Sequence, residues 1–416
     1  MRRTVWLAWA VILPAQVAHA QEAVPAGALP QNVSVADRAR PDYAPVGGRI
    51  GSFFLYPTAT VTDLYTSNLR ATETNELSDF VVVLRPAAQL ESLWSRHSLR
   101  ANVYYETSLH ARYSDENSAQ YGAFVAGRYD IDGSTSFDLN GTAARVTEPR
   151  TDINSNNASR SPIQYTNLGL TAALRRDFVR FGVVATGSVV KQTFDDGETL
   201  SGAPLPQEFR DNLSTSGSLE GRFSIGAGTS VLARASVGRI SYDINPLFGL
   251  DRNSSSYRIE GGVGLALTRF LSGDLRVGYF RQANDDPRFV DGSGLSFSAN
   301  LLYNPTALTS IRLTADRSSE PSGSVVTSGN VRSTGTLTVD HEVLPNLVVT
   351  GFGRYAHIEP QGPIGSADEY EARASAIYYY NRNFRFNASV QHSARKSNAF
   401  GSFDVTTGLV GVTWML

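Results

Sequence analysis

The sequence predicts an all-β chain: a transmembrane, antiparallel, up-and-down β-barrel of about eighteen strands, with sixteen as the alternative. Three observations carry the prediction. From Arg49 to Leu416 apolar and polar residues alternate in stretches of about ten to fifteen. The segments between those stretches alternate long and short. Beyond the N-terminus no run approaches 18 apolar residues, so a membrane crossing would have to be made by strands closed into a barrel.

Composition narrows the field. The 416 residues include no cysteine, which excludes a disulfide scaffold, a thiolate metal site and a cysteine nucleophile. A formal charge of −2 lacks the basic face of a nucleic-acid binder. Of 37 cationic residues only Lys191 and Lys396 are lysines. The 36 glycines, 18 tyrosines and 20 phenylalanines suit a β chain.

Residues 1–20 read as a signal peptide. Arg2 and Arg3 precede an apolar stretch from Val5 to Val17, and Ala18 and Ala20 supply the small residues a signal peptidase reads. The expected cut follows Ala20. A membrane helix would need roughly 20 apolar residues. Residue 21 is Gln, so a lipoprotein's acylated cysteine is missing. Losing Arg2 and Arg3 leaves 35 cations against 39 acids, a charge of −4. Residues 21–48 are rich in Ala, Pro and Val without periodicity and read as an extended periplasmic segment of low order. Residues 49–416 form the expected barrel.

Several strands show their two faces directly. Leu213, Gly217, Leu219, Gly221 and Phe223 oppose Ser214, Ser218, Glu220 and Arg222. Tyr257, Ile259, Val263, Leu265 and Leu267 oppose Arg258 and Glu260; Phe384, Phe386 and Val390 oppose Arg385, Asn387 and Gln391. Eighteen strands are centred near 57, 84, 103, 123, 141, 169, 185, 216, 235, 262, 277, 298, 313, 335, 351, 374, 388 and 409. Long connections include 64–77, 148–162, 194–208, 243–253, 283–291, 318–327 and 358–367. Short ones include Asp132-Gly133, Arg175 to Asp177, Gly226 to Gly228, Ser272-Gly273, Asn304-Pro305, Leu344-Pro345 and Asn381 to Asn383. Short periplasmic turns and long external loops are the outer-membrane pattern.

Aromatic residues mark the two ends. Tyr303, Tyr378, Tyr380, Phe384, Phe386 and Trp414 lie near short turns; Tyr242, Tyr257, Tyr279, Tyr355 and Tyr370 lie near long loops. Such girdles are expected at both headgroup levels. At the C-terminus Gly411, Trp414 and Leu416 match the spacing of a signal read by the barrel-assembly machinery.

The stretch from Val35 to Phe54, with Arg38, Arg40, Pro41, Tyr43, Gly47, Arg49, Gly51 and Phe53, resembles the β-barrel porin family (beta-barrel porin 2 type) found beside bacterial exopolysaccharide export genes. The likeness continues through Pro57, Asn68, Ser78 to Phe80, Pro86 and Ser92 to His97. It implies an outer-membrane barrel associated with polysaccharide secretion, and it identifies no catalytic residue.

No motif points to catalysis, a metal or a cofactor. The five mature histidines, His97, His110, His341, His357 and His392, show no paired-ligand spacing. Asp340 and His341 are adjacent in a strand and therefore point to opposite faces. The informative residues are on the polar faces: Arg100, Arg222, Arg234, Arg258, Arg276, Arg312, Arg332, Arg373 and Arg385. Glu106, Glu220, Glu260, Asp316, Asp340 and Glu371 share those faces. They read as an ion-pair network on the inner wall, or as a guanidinium ladder that holds anionic sugars weakly.

Three functions compete. The first is an exit conduit for a secreted exopolysaccharide, working with periplasmic export proteins across the outer membrane. The second is a general diffusion porin, for which loops 148–162 and 194–208 are long enough to narrow the lumen but carry no constriction motif. The third is a structural or adhesive surface barrel. Outer-membrane lipid is the surrounding partner in each case.

Overall fold

The computed structural model describes residues 33–226, 228–242, 249, 251–266 and 270–416. The signal peptide, its cut after Ala20, residues 21–32 and Leu267 lie outside the described residues.

Eighteen long strands follow one another: β1 (Phe53–Thr66), β2 (Asp79–Ser92), β3 (Ser98–His110), β4 (Ser118–Asp130), β5 (Thr135–Thr147) and β6 (Gln164–Asp177). Next come β7 (Phe181–Phe194), β8 (Asn212–Gly226), β9 (Thr229–Tyr242), β10 (Ser254–Leu265), β11 (Leu271–Asn284) and β12 (Gly292–Thr306). The last six are β13 (Thr309–Glu320), β14 (Asn330–Leu344), β15 (Leu347–Pro360), β16 (Ala367–Tyr379), β17 (Phe384–Ser397) and β18 (Phe403–Met415). Each pairs antiparallel with the next, and β1 also pairs with β18, setting Thr58 opposite Met415 and Thr66 opposite Thr407. The sheet therefore closes on itself and has no free edge in the membrane. Strands of 12 to 15 residues, tilted by ~40°, cover the ~30 Å of a hydrocarbon core. Among the described residues no helix is long and apolar enough to cross a membrane.

The alternation sorts side chains as a barrel requires. On one face Leu219, Ile259 and Val390 are 56–62% exposed; on the other, Glu220 and Glu260 are 8% and 4% exposed. The polar face is the concave one. Arg276 on β11 reaches Glu220 on β8, and Ser296 on β12 reaches Glu260 on β10. Contacts that skip strands are available on the concave side of a strongly curved sheet, here the inside of the barrel.

Several turns differ from expectation. Arg175 to Asp177 belong to β6, and the reversal is at 178–180. Ser272-Gly273 lies within β11 and Asn304-Pro305 within β12, where the register shifts between Tyr303 and Thr306. Glycine and proline there serve strand ends and a bulge rather than the turn itself. Tyr257, Tyr279, Tyr355 and Tyr370 are outward and exposed near the external ends. Tyr242 is not part of that girdle: on β9 the odd positions face out, as at Val231 and Val237, so Tyr242 faces in.

Candidate functional site: an arginine-lined lumen with a segment across each mouth

Six of the nine expected wall arginines sit within ion-pair range of carboxylates. Arg100 meets Glu91 at 3.1 Å, and Arg276 meets Glu220 at 3.0 Å and Asp274 at 2.9 Å. Arg222 lies 4.0 Å from Glu220, and Arg258 lies 3.7 Å from Glu260 and 3.8 Å from Asp316. Arg312 binds Asp37 at 2.9 Å, and Arg332 binds Glu320 at 3.0 Å and Glu369 at 2.8 Å. Glu106 takes Arg85 and Gln120, while Glu371 takes Arg354 at 3.2 Å. Asp340 accepts from Thr350. The other three arginines have different neighbours. Arg234 donates to Ser218, Arg373 lies 4.6 Å over the Phe352 ring, and Arg385 faces Tyr379 across the ladder. A planar guanidinium can stack and bind bidentately at once, which suits arginine over lysine on such a wall.

The external mouth is crossed by loop 148–163. It leaves β5, returns to β6, and touches β15 to β17, with β16 ten strands from β6 one way and seven from β5 the other. Its base is tied by charge. Arg150 grips the buried Glu116 bidentately at 3.0 and 2.9 Å, Arg70 adds a third bond at 2.9 Å, and Arg210 pairs with Glu148. Burial pushes the Glu148 carboxyl above its ordinary range, against the pull of Arg210. The tip makes other contacts. Thr151 O accepts from Arg395, Asn154 Oδ1 accepts from Gly323 N at 2.7 Å, and Ile153 packs on Ile358, Ala367 and Phe400.

Arg252 joins the remaining loops. It is 1% exposed, donates to the carbonyls of Thr327, Phe209 and Ser322, and lies 4.1 Å over the Tyr242 ring. Burial lowers its pKa. One side chain thus ties residues 251–253 to loops 195–211 and 321–329 through backbone carbonyls that would otherwise be buried without donors.

At the periplasmic mouth residues 33–47 form a strap inside the barrel. Val35, fully buried, packs with Val348, Ile377 and Tyr379, and Tyr43 packs against them. Val35 N donates to Ser310 Oγ at 2.7 Å, Arg38 to Ala307 O, and Arg40 to Glu342 at 3.1 Å and Val35 O at 3.0 Å. The segment is therefore turn-rich and anchored over this stretch, because its apolar residues find the inward faces of β15 and β16. It joins the wall where Gly47 N meets Leu416 O at 2.9 Å. Gly47 has φ 68°, and a Cβ there would fall 2.5 Å from the Tyr56 ring.

The sequence reading missed Arg150, Arg210, Arg252 and Arg395. Arg395 shares the polar face of β17 with Arg385 and could have been found by parity. The loop arginines carry no periodic signal. Of the C-terminal residues, Gly411 faces in between Asn387 and Thr62, while Trp414 and Leu416 are exposed. Among the described residues no cluster of His, Asp and Glu suits a metal ion.

A family model described as Putative beta-barrel porin 2 matches residues 40–416. No curated protein matches the sequence. Among solved structures, the chain is similar to Pseudomonas aeruginosa OpdK with vanillate: TM-score 0.47, 12% identity, covering 87% of this chain and 99% of that one. It is similar to a BenF-like porin from Pseudomonas fluorescens Pf-5: TM-score 0.45, 9% identity, 87% and 99% covered. It is also similar to the apoprotein form of the FrpB iron transporter from Neisseria meningitidis: TM-score 0.46, 11% identity, 83% of this chain and 62% of that one.

Proposed function

We propose a function from one premise: the chain belongs to the Putative beta-barrel porin 2 family and is an outer-membrane, porin-like channel. The finer reading is an exit conduit for an anionic exopolysaccharide delivered by periplasmic export proteins, with the C-terminal Gly411, Trp414 and Leu416 read by the barrel-assembly machinery. It assigns no catalysis to the chain. The observation that carries it is the division of the wall arginines. Among the described residues Arg234, Arg373 and Arg385 have no carboxylate within ion-pair distance. Glu220 and Glu260 flank Arg234 across the ladder and Glu371 shares a strand face with Arg373, so their charge is only partly countered and a passing carboxylate can compete for it. The second reading, a general diffusion porin, is favoured by the loop that crosses the external mouth.

The test is Arg234→Gln, Arg373→Gln and Arg385→Gln, singly and together. A solvated polymer passing the wall meets several guanidinium groups in turn, so single changes should be nearly silent. The triple variant should shift planar-bilayer reversal potentials toward cations and lower polymer secretion. A selectivity shift with unchanged secretion would favour the diffusion porin. No change in either would remove the arginines from the transport path.

A further inference from the structure

Resting on the channel reading, we propose that loop 148–163 is a gate, hinged at its base and latched at its tip, and that transport requires the latch over residues 151–154 to open. The two ends of the loop are built differently. At the base the loop's own charges are buried in pairs, Arg150 with Glu116 and Glu148 with Arg210. Arg150 also donates to the carbonyls of Asn156 and Arg160, so the returning half of the loop is tied to the same point. Pulling the base away would strand buried charges on both sides.

The one charge at the tip, Asp152, is held within the loop, its Oδ1 accepting from Asn154 N at 2.8 Å, and the tip's bonds to the far side are made by uncharged groups. The tip offers the Thr151 carbonyl, the Ile153 side chain and the Asn154 amide. Its wall partner does not depend on it either. Arg395 keeps Glu369 at 2.8 Å, Glu369 also holds Arg332, and Arg332 holds Glu320. The far wall is therefore an internally paired network that stays satisfied when the tip leaves. What the tip covers is one small apolar patch, Ile358, Ala367 and Phe400. Gating by this loop places regulation at the external end, in a segment that the opposite wall can release without rearranging.

Because the chain has no cysteine, a disulfide can lock the tip without background. A Cβ at Gly323 would fall 2.7 Å from Asn154 Cβ, so Asn154→Cys with Gly323→Cys can be bridged once the loops part by about 1 Å. Gly365→Cys with Ala399→Cys, whose Cβ atoms would lie 3.9 Å apart, links two loops of one wall and leaves the tip free. Conductance of the full mature chain in planar bilayers would be measured before and after reduction. The locked tip pair should lose most of its conductance and regain it on reduction, while the control pair should conduct alike in both states. Equal conductance of the oxidised and reduced tip pair would overturn the gate and leave the channel standing. No conductance from the parent chain would overturn the channel reading, and the gate with it. Ile153→Asn, which needs no bridge, should raise conductance and speed amide exchange over 151–154; unchanged or lower conductance would overturn the gate.

Discussion

The two mouths of the barrel are crossed by segments of the same chain, held with different emphasis. At the external end Arg252, Arg150 and Arg210 tie loops through carbonyls and carboxylates. At the periplasmic end Val35 and Tyr43 pack against Val348, Ile377 and Tyr379, with Arg40 added across the Tyr379 ring. The difference follows from what each segment must satisfy. Long loops folded over a mouth bury many backbone carbonyls, and one guanidinium with five donors can serve three of them. The strap has directional bonds too, from Val35 N to Ser310 and from Arg40 to Glu342, and adds to them the apolar contact of Val35 and Tyr43 with β15 and β16. Directional bonds alone fix where most of the loops meet; the strap combines directional bonds with an apolar cluster.

The comparison can be broken most severely at Arg252. Arg252→Leu leaves the carbonyls of Phe209, Ser322 and Thr327 without their donor, and charge-assisted bonds are worth about 1.5–3 kcal/mol each. Amide exchange over 195–211 and 321–329 should accelerate by the equivalent of about 3 kcal/mol or more, with residues 33–47 unchanged. Faster exchange in the strap as well would show that the mouths are coupled. A smaller effect is expected at Val35→Ala, which removes two buried methyl groups at about 0.8 kcal/mol each. Limited proteolysis should then cut within residues 33–47 while the external loops stay protected.

The smallest effect is one of sign. The Glu148 carboxyl is raised by burial, so its contribution is full below the ordinary carboxylate value, about 4.3, and is lost as pH rises through the raised value. Asp286, in loop 285–291, is held down by bonds from the Arg288 side chain and from the amides of Arg288 and Asp251. Its contribution is present above the ordinary value, about 3.9, and is lost as pH falls through the depressed one. Protection factors, which remove the intrinsic slowing of amide exchange in acid, should therefore rise beside Glu148 first on acidification from neutral pH and fall over 285–291 only in stronger acid. The same direction in both places would refute the assignment.

How far these features were legible follows from what enforces them. Lipid outside and water inside impose parity on every strand, so a centre near 169 falls within Gln164–Asp177 and one near 409 within Phe403–Met415. The same parity placed Arg258 and Glu260 on one face. Turn positions were less readable because Ser272-Gly273 and Asn304-Pro305 look like reversals while completing strands. The crossings were not readable at all. Arg252 binds carbonyls 43 to 75 residues away, and a carbonyl leaves no trace in the sequence. Ile153 is one isoleucine in a polar loop, and only the closed ring brings Ile358 to it. Arg38 and Arg40 stood out through a resemblance, but their place in the lumen depends on strands more than 250 residues further along.

The near absence of lysine has a practical consequence for mapping this protein. Lys191 lies across from the exposed Leu168 and Leu213, and Lys396 lies 5.9 Å over the exposed Tyr370 ring. Both lysine amines therefore stand on the outer wall, within four residues of the external strand ends. An amine-reactive reagent too large to enter the barrel would find the same side-chain targets as a small one, so lysine modification would report orientation at the cell surface and leave the lumen chemically untouched.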